Sequence, residues 1–306
     1  MSLFEKIACF ADPYDADHSS LNMAMEFWKG NSKKAGGLSV FSANPKVSVP
    51  SSDNPEIMDS HTKTDENWLS KWLVNEISDN TVLGKVLESG EPGRELVAFE
   101  HQLKTTMLVE SGGKRAPDGS KFLSDFKLNM LRFSPAPVYL VQENAARQGR
   151  CVILAMNVAS EDDRFMRDMH KYMMRRAMEL ASFYNSEVHL VNAVRPVTGT
   201  YPGYMAALSP DLIGQAVITE CRKNLLDFAS HYDLPQSRCH VLDGTPEEMI
   251  PELCQTLTPS VLVMASSGRS GIAGSIIGNV PETIMRRVDC DLLVIPSKCL
   301  KYQTMD

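Results

Sequence analysis

The 306-residue sequence has no uninterrupted apolar run approaching the ~20 residues that a membrane-spanning helix needs. Its opening residues, Met1-Ser2-Leu3-Phe4-Glu5-Lys6, lack the apolar core of a signal peptide, so a cytoplasmic location without a membrane partner is expected. Positive charge is in the minority, with 31 Lys and Arg against 38 Asp and Glu for a net charge of −7. Neutralising many phosphates needs clustered basic residues, so direct nucleic-acid binding is not expected. No two of the seven cysteines form a C-x-x-C pair, and most lie in apolar runs where a reduced thiol packs as a small hydrophobe. Neither a disulfide framework nor a zinc site is indicated. Catalytic signatures are missing too: there is no G-x4-G-K-S/T loop, no G-x-S-x-G elbow and no H-E-x-x-H pair. An ATPase would lack its lysine and its magnesium-binding hydroxyl together, and a non-enzymatic protein is expected.

What is present centres on Gly268 to Asn279. Gly268-Arg269-Ser270-Gly271, six further residues and Gly278-Asn279 follow the apolar run Val261-Leu262-Val263-Met264-Ala265. Such a run between turn formers reads as a central parallel strand, and Thr283, Ile284, Met285 and Val288 beyond it recur at helical spacing. The glycines therefore fall on a strand-to-helix turn. Two readings stay open for them: backbone N–H groups and a helix N-terminus cradling an anion, or a tight turn with glycines that tolerate positive φ.

A faint internal repeat organises the rest. With an offset of 154, Ser89-Gly90-Glu91-Pro92 falls on Asp243-Gly244-Thr245-Pro246, Met107-Leu108-Val109 on Val261-Leu262-Val263, and Val138-Tyr139-Leu140-Val141 on Leu292-Leu293-Val294-Ile295. At the front, Ile7 to Asp12 matches Val152 to Asn157 with an offset of 145. A repeat this long is a duplicated domain. We expect a first domain over 1–142, a linker over 143–149, a second domain over 150–298 and a tail over 299–306.

In the first half the pattern predicts strands Lys6–Ala11, Leu38–Ser42, Thr81–Leu87, Thr105–Val109 and Val138–Val141. Helices are predicted over Ser20–Lys29, Trp68–Ile77, Arg94–Gln102 and Leu123–Leu131, with a mobile polar loop over Asn44–Asn67. The second half predicts strands Cys151–Met156, Val188–Val194, Cys239–Leu242, Val261–Ala265 and Leu292–Ile295. Its helices are predicted over Asp163–Tyr184, Pro210–Tyr232, Pro246–Leu257 and Glu282–Val288. The stripe Met166, Met169, Met173, Ala177 and Leu180 reads as core. Alternation of this kind implies α/β architecture with doubly wound parallel sheets, where ligands sit beyond the strands' carboxyl ends.

A strand, G-R-S-G-x6-G-N, a helix and a last strand reading Cys290-Asp291-Leu292-Leu293-Val294-Ile295-Pro296 resemble the C-terminal signature of the universal stress protein family. The duplicated plan resembles the tandem-domain members, five strands and four helices per domain, with the likeness specific over residues 150–297. The resemblance implies a cytoplasmic stress-response protein acting in DNA-damage or starvation survival. It also implies an intramolecular pseudo-dimer in contact through the final strands Val138–Val141 and Leu292–Ile295, with homodimerisation left open. Nucleotide-binding members carry G-x2-G-x9-G-S/T at this turn, an acidic residue after the first strand, and backbone contacts from the second strand to adenine. Carried over, the candidate site for ATP or another adenine nucleotide comprises Asn157, Ala193, Gly268, Arg269, Ser270, Gly271, Gly278 and Asn279.

Three departures bear on that site. The spacer is shorter, Asn279 replaces a hydroxyl residue, and Asn157 replaces a carboxylate that would accept charge-assisted bonds. Asn279 retains the chemistry to cap the following helix. In the first half the offset places Lys114, Pro117 and Ser124 where the glycines should be, so any ligand site is expected in the second domain. Glu247 and Glu248 read as helix-start acids, and His189 and His240 as a hydrogen-bonded or solvated pair in preference to a metal site. The alternatives left open are a partner-binding scaffold with a vestigial pocket, a weak ATPase, and an amphipathic ligand at the loop Tyr201–Leu208.

Overall fold

The computed structural model describes residues 1–12, 18–30, 37–43, 82–87, 92–112, 123–142, 145, 149–158, 164–196, 210–266 and 279–300. The expected loop 44–67, the helix 68–77, most of the linker and the loop 201–208 lie outside the described residues.

Contacts gather the chain into two units. The first contains strands β1 (Ile7–Phe10), β2 (Leu38–Ala43), β3 (Val82–Leu87), β4 (Met107–Ser111) and β5 (Val138–Val141), with helices α1 (Ser19–Gly30), α2 (Pro92–Leu103) and α3 (Asp125–Phe133). Its strand order is β3-β2-β1-β4-β5, all parallel. Every residue of β1 and β5 is buried, as a parallel strand covered on both faces requires. Phe27 of α1 packs edge-on against Tyr139 of β5 at 4.9 Å between ring centroids. The chain's last strand, β10 (Asp291–Ile295), also groups with this unit from Leu292 onward and pairs antiparallel with β5, Leu293 opposite Tyr139. Each of these two strands thereby covers an edge of the other that would otherwise invite aggregation.

The second unit holds β6 (Cys151–Ala155), β7 (Glu187–Val194), β8 (Cys239–Asp243) and β9 (Val261–Ala265), with α4 (Arg164–Tyr184), α5 (Pro210–Ser230), α6 (Pro246–Leu257) and α7 (Asn279–Arg287). The order is β9-β6-β7-β8, again parallel. The whole methionine stripe of α4 is buried, so it is core. Among the described residues no helix is long and apolar enough to cross a membrane.

The repeat is legible in the element boundaries. The offset of 154 carries Pro92–Leu103 onto Pro246–Leu257, Met107–Ser111 onto Val261–Ala265 and Asp125–Phe133 onto Asn279–Arg287. The largest departure from the expected boundaries is at one helix start. The helix predicted from Glu282 begins at Asn279, because Pro281 falls in its first turn, where a missing N–H costs no intrahelical bond. Asn279 is thus the first helical residue and not a cap ahead of Glu282.

Pro251 sits inside α6 and cannot donate to the carbonyl four residues earlier. That carbonyl, Glu247 O, instead accepts from Arg287 Nη1 at 2.6 Å, so the side chain at the end of α7 supplies the bond that proline withholds.

Candidate functional site

In the second unit the chain runs from β6 outward through β7 to β8, then returns to place β9 on the other side of β6. The strand order therefore reverses between β6 and β9. Ligands of open α/β sheets bind outside the carboxyl ends of strands at such a point. The carboxyl end of β6 leads directly into Met156 and Asn157, and that of β9 into Ser266, two residues before Gly268 in the sequence. Asn157 is exposed there. Gly268, Arg269, Ser270, Gly271 and Gly278 lie outside the described residues, and Asn279 opens α7.

Ala193 is the last residue but one of β7. The Val191 carbonyl turns toward β6 and accepts from Met156 N at 3.0 Å. By the two-residue period of a strand, Ala193 turns its N–H and carbonyl to the same side, one step beyond the end of the β6 ladder. Backbone groups in that position can recognise a planar heterocycle edge-on.

Two further asparagines fix the turn after β6. The buried Asn192 accepts from Val158 N through Oδ1 at 3.2 Å, while Asn224 of α5 donates to Val158 O at 3.4 Å. Burial pushes the Cys221 thiol up, partly offset by its hydrogen bond with Asn192. These side chains clamp the backbone that presents Asn157, and the motif comparison did not find them. The available signal was a polar residue within the apolar run Leu190-Val191-Asn192-Ala193-Val194, since such a residue must find buried partners.

Beyond β7, Arg195 reaches Glu247 at 2.5 Å, and Glu248 accepts from Thr245 Oγ1 at 2.9 Å at the start of α6. Gly244, after β8, donates its N–H to Val194 O at 2.9 Å with φ of +150°. A Cβ there would stand 2.6 Å from Met249 Cγ and Sδ. Gly244→Ala is expected to lower the unfolding free energy by about 2 kcal/mol through strain and overlap, read as a shifted urea midpoint. His189 and His240 stack with their Nδ1 and Nε2 atoms 3.0 Å apart, a hydrogen-bonded pair on adjacent strands. Burial holds both below the ordinary histidine value. Among the described residues no group of three or more His, Cys, Asp or Glu could hold a metal ion.

The corresponding reversal in the first unit lies between β1 and β4 and is built differently. Lys127, in the first turn of α3, places Nζ 3.7 Å from the buried Glu110 and 3.4 Å from Ser111 Oγ. Burial pushes Glu110 up to about 7, against the pull of Lys127 and with a further push from Asp12. Ser124 accepts from Lys127 N at 3.3 Å, which uses a backbone donor that an anion at this helix start would need. Phe126 packs on Phe10 with ring centroids 4.3 Å apart.

Comparison with known proteins matches residues 167–296 to the Universal stress protein family. Universal stress protein E of Escherichia coli K12 is 31% identical over 178 residues, which cover 58% of this chain and 55% of that protein. The matched stretch thus spans little more than half of that relative. The fold is similar to that of a Pseudomonas aeruginosa UCBPP-PA14 protein assigned to the universal stress proteins, with a TM-score of 0.71, 18% identity, and coverage of 97% of this chain and 95% of that one. A universal stress protein from Archaeoglobus fulgidus aligns with a TM-score of 0.57 at 16% identity, covering 95% of this chain and 98% of that one.

Proposed function

We propose that this chain, which belongs to the universal stress protein family through residues 167–296, is a non-enzymatic cytoplasmic stress-response protein with two tandem domains. On this reading each domain has five strands and four helices, and the later domain holds an adenine nucleotide, ATP foremost. The observation that carries the proposal is the reversal of strand order between β6 and β9, with Asn157 at one strand end and the glycine sequence following the other. Ala193, with backbone groups turned to the β6 side, supports adenine recognition. Gly268, Arg269, Ser270, Gly271, Gly278 and Asn279 supply the phosphate side. The lysine and the capped helix start at the first unit's reversal support a single nucleotide per chain. Ligand occupancy would then alter which surfaces the protein offers to partners.

Calorimetric titration of the full chain with ATP tests this. One molar equivalent should bind, and Gly271→Val should weaken the affinity at least tenfold, about 1.4 kcal/mol, by placing a β-branched side chain where the phosphates approach. Absence of binding by ATP, ADP and AMP to the unmodified chain would overturn the nucleotide reading. A scaffold with a vestigial pocket would then be preferred, as the asparagines at 157 and 279 already favour.

A further inference from the structure

A cavity of about 160 Å³ opens between the end of α6 and the segment joining α7 to β10, lined in part by Pro251, Cys254, Thr258, Arg287, Asp289 and Cys290. It has room for several water-sized molecules, each needing only ~15 Å³ of such space. Both cysteines are buried and free, and both line this one cavity, which supplies the approach that their burial would otherwise deny. We propose that Cys254 and Cys290 are a modification site, a thiol pair that a small peroxide entering this cavity oxidises to an intramolecular disulfide.

The backbone holds both residues at defined positions beside the cavity. Cys254 lies in the last turn of α6, where its carbonyl accepts from Thr258 N at 2.9 Å, and Thr258 ends the helix in the left-handed conformation with φ of 44°. Cys290 immediately precedes β10. The hydrogen bond with Cys290, with burial second, pushes the Cys254 thiol well above its ordinary value. Both sulfurs line the cavity, so either can meet the peroxide first. Burial likewise pushes the neighbouring Cys151 up to about 11, and Cys151 does not line the cavity.

In the first step the thiolate of one cysteine of the pair attacks one peroxide oxygen, the O–O bond breaks, and the departing hydroxide takes a proton to leave as water. In the second step the sulfur of the other cysteine, giving up its proton, attacks that sulfenic sulfur. The S–O bond breaks, a second water leaves, and the S–S bond forms. The two thiols lose two electrons and two protons in all, and hydrogen peroxide is reduced to two waters. Because the reacting form is a thiolate in a buried site, the reaction is slow at neutral pH and accelerates with pH. The bond closes a covalent loop from Cys254 to Cys290 that includes β9, residues 267–278 and α7.

The test treats the reduced full chain with hydrogen peroxide, blocks the remaining thiols with N-ethylmaleimide and maps the products by mass spectrometry. Two of the seven thiols should be protected, the chain should lose the mass of two hydrogens, and the peptide bearing Cys254 should be joined to the one bearing Cys290. The bond should form faster at pH 8 than at pH 7. Cys151→Ala should still form it, whereas Cys254→Ala and Cys290→Ala should not. A linkage through Cys151, or a wild-type chain that keeps both thiols through prolonged exposure, would overturn the proposal; the wild-type result decides even where a variant fails to fold. No nucleotide enters the measurement, so its failure is separate from failure of the ligand reading.

Discussion

Replacing Glu100 by Gln is expected to stabilise the protein by about 3 kcal/mol at pH 7. Glu100 lies on α2, fully buried, with Oε1 accepting from Ser134 Oγ at 2.9 Å. Its second oxygen is buried without a hydrogen-bond partner. Burial pushes the carboxyl from its ordinary 4.5 up to about 8, the Ser134 bond pulls the other way, and Glu110 adds a further push. Above pH 4.5 the unfolded chain releases this proton while the folded chain keeps it. The folded state then binds more protons, so stability falls as pH rises from about 4.5 to about 8. Glutamine preserves the acceptor for Ser134 and removes the titration. Urea denaturation of both proteins between pH 4.5 and 8 measures the effect. The variant's advantage should grow steadily across that window, and parallel curves would mean that Glu100 is ionised in the folded protein.

A second expected result has the opposite sign in pH. His170 on α4 is 2% exposed, packed edge-on to Phe228 of α5 at 6.1 Å between ring centroids, and its Nε2 has no hydrogen-bond partner. Burial lowers its pKa from 6.5 to about 4. Below pH 6.5 the unfolded chain takes up a proton that the folded chain refuses. Stability therefore falls as pH drops through this window, by about 3 kcal/mol at pH 4. His170→Leu should remove that loss, so the difference between variant and parent in urea midpoint should widen from pH 6.5 down to 4. A constant difference would show that His170 charges in place. With Glu100 eroding stability upward from 4.5 and His170 downward from 6.5, these two groups together predict a plateau between those values.

The two titrations mark where reading the sequence stopped. Continuous apolar runs such as Val152-Ile153-Leu154 and Val261-Leu262-Val263 identify buried parallel strands because burial on both faces leaves no room for alternation. The local pattern predicts the helix Pro246–Leu257 to the residue, because a proline followed by Glu247 and Glu248 marks a helix start. The start of α7 was missed by three residues, because a proline reads as a stop although it is tolerated in a first turn. At the candidate site the resemblance points to Asn157 and Ala193, but the clamp made by Asn192 and Asn224 was not legible in the sequence. Asn224 lies 66 residues from the backbone oxygen it holds, and nothing local encodes that pairing.

The sequence by itself determined the alternation of strands and helices and the buried strand Val261–Ala265 ahead of the glycine-rich segment, which depend on neighbours within a few residues. Only the tertiary structure decided the antiparallel register of the last strand against Val138–Val141, that Arg287 completes the bond Pro251 cannot make, and that Cys254 and Cys290 line one cavity. It also decided that Glu100 and His170 are stripped of water. Desolvation and long-range contact depend on which distant segments close over a side chain, and one-dimensional spacing carries no information about that closure.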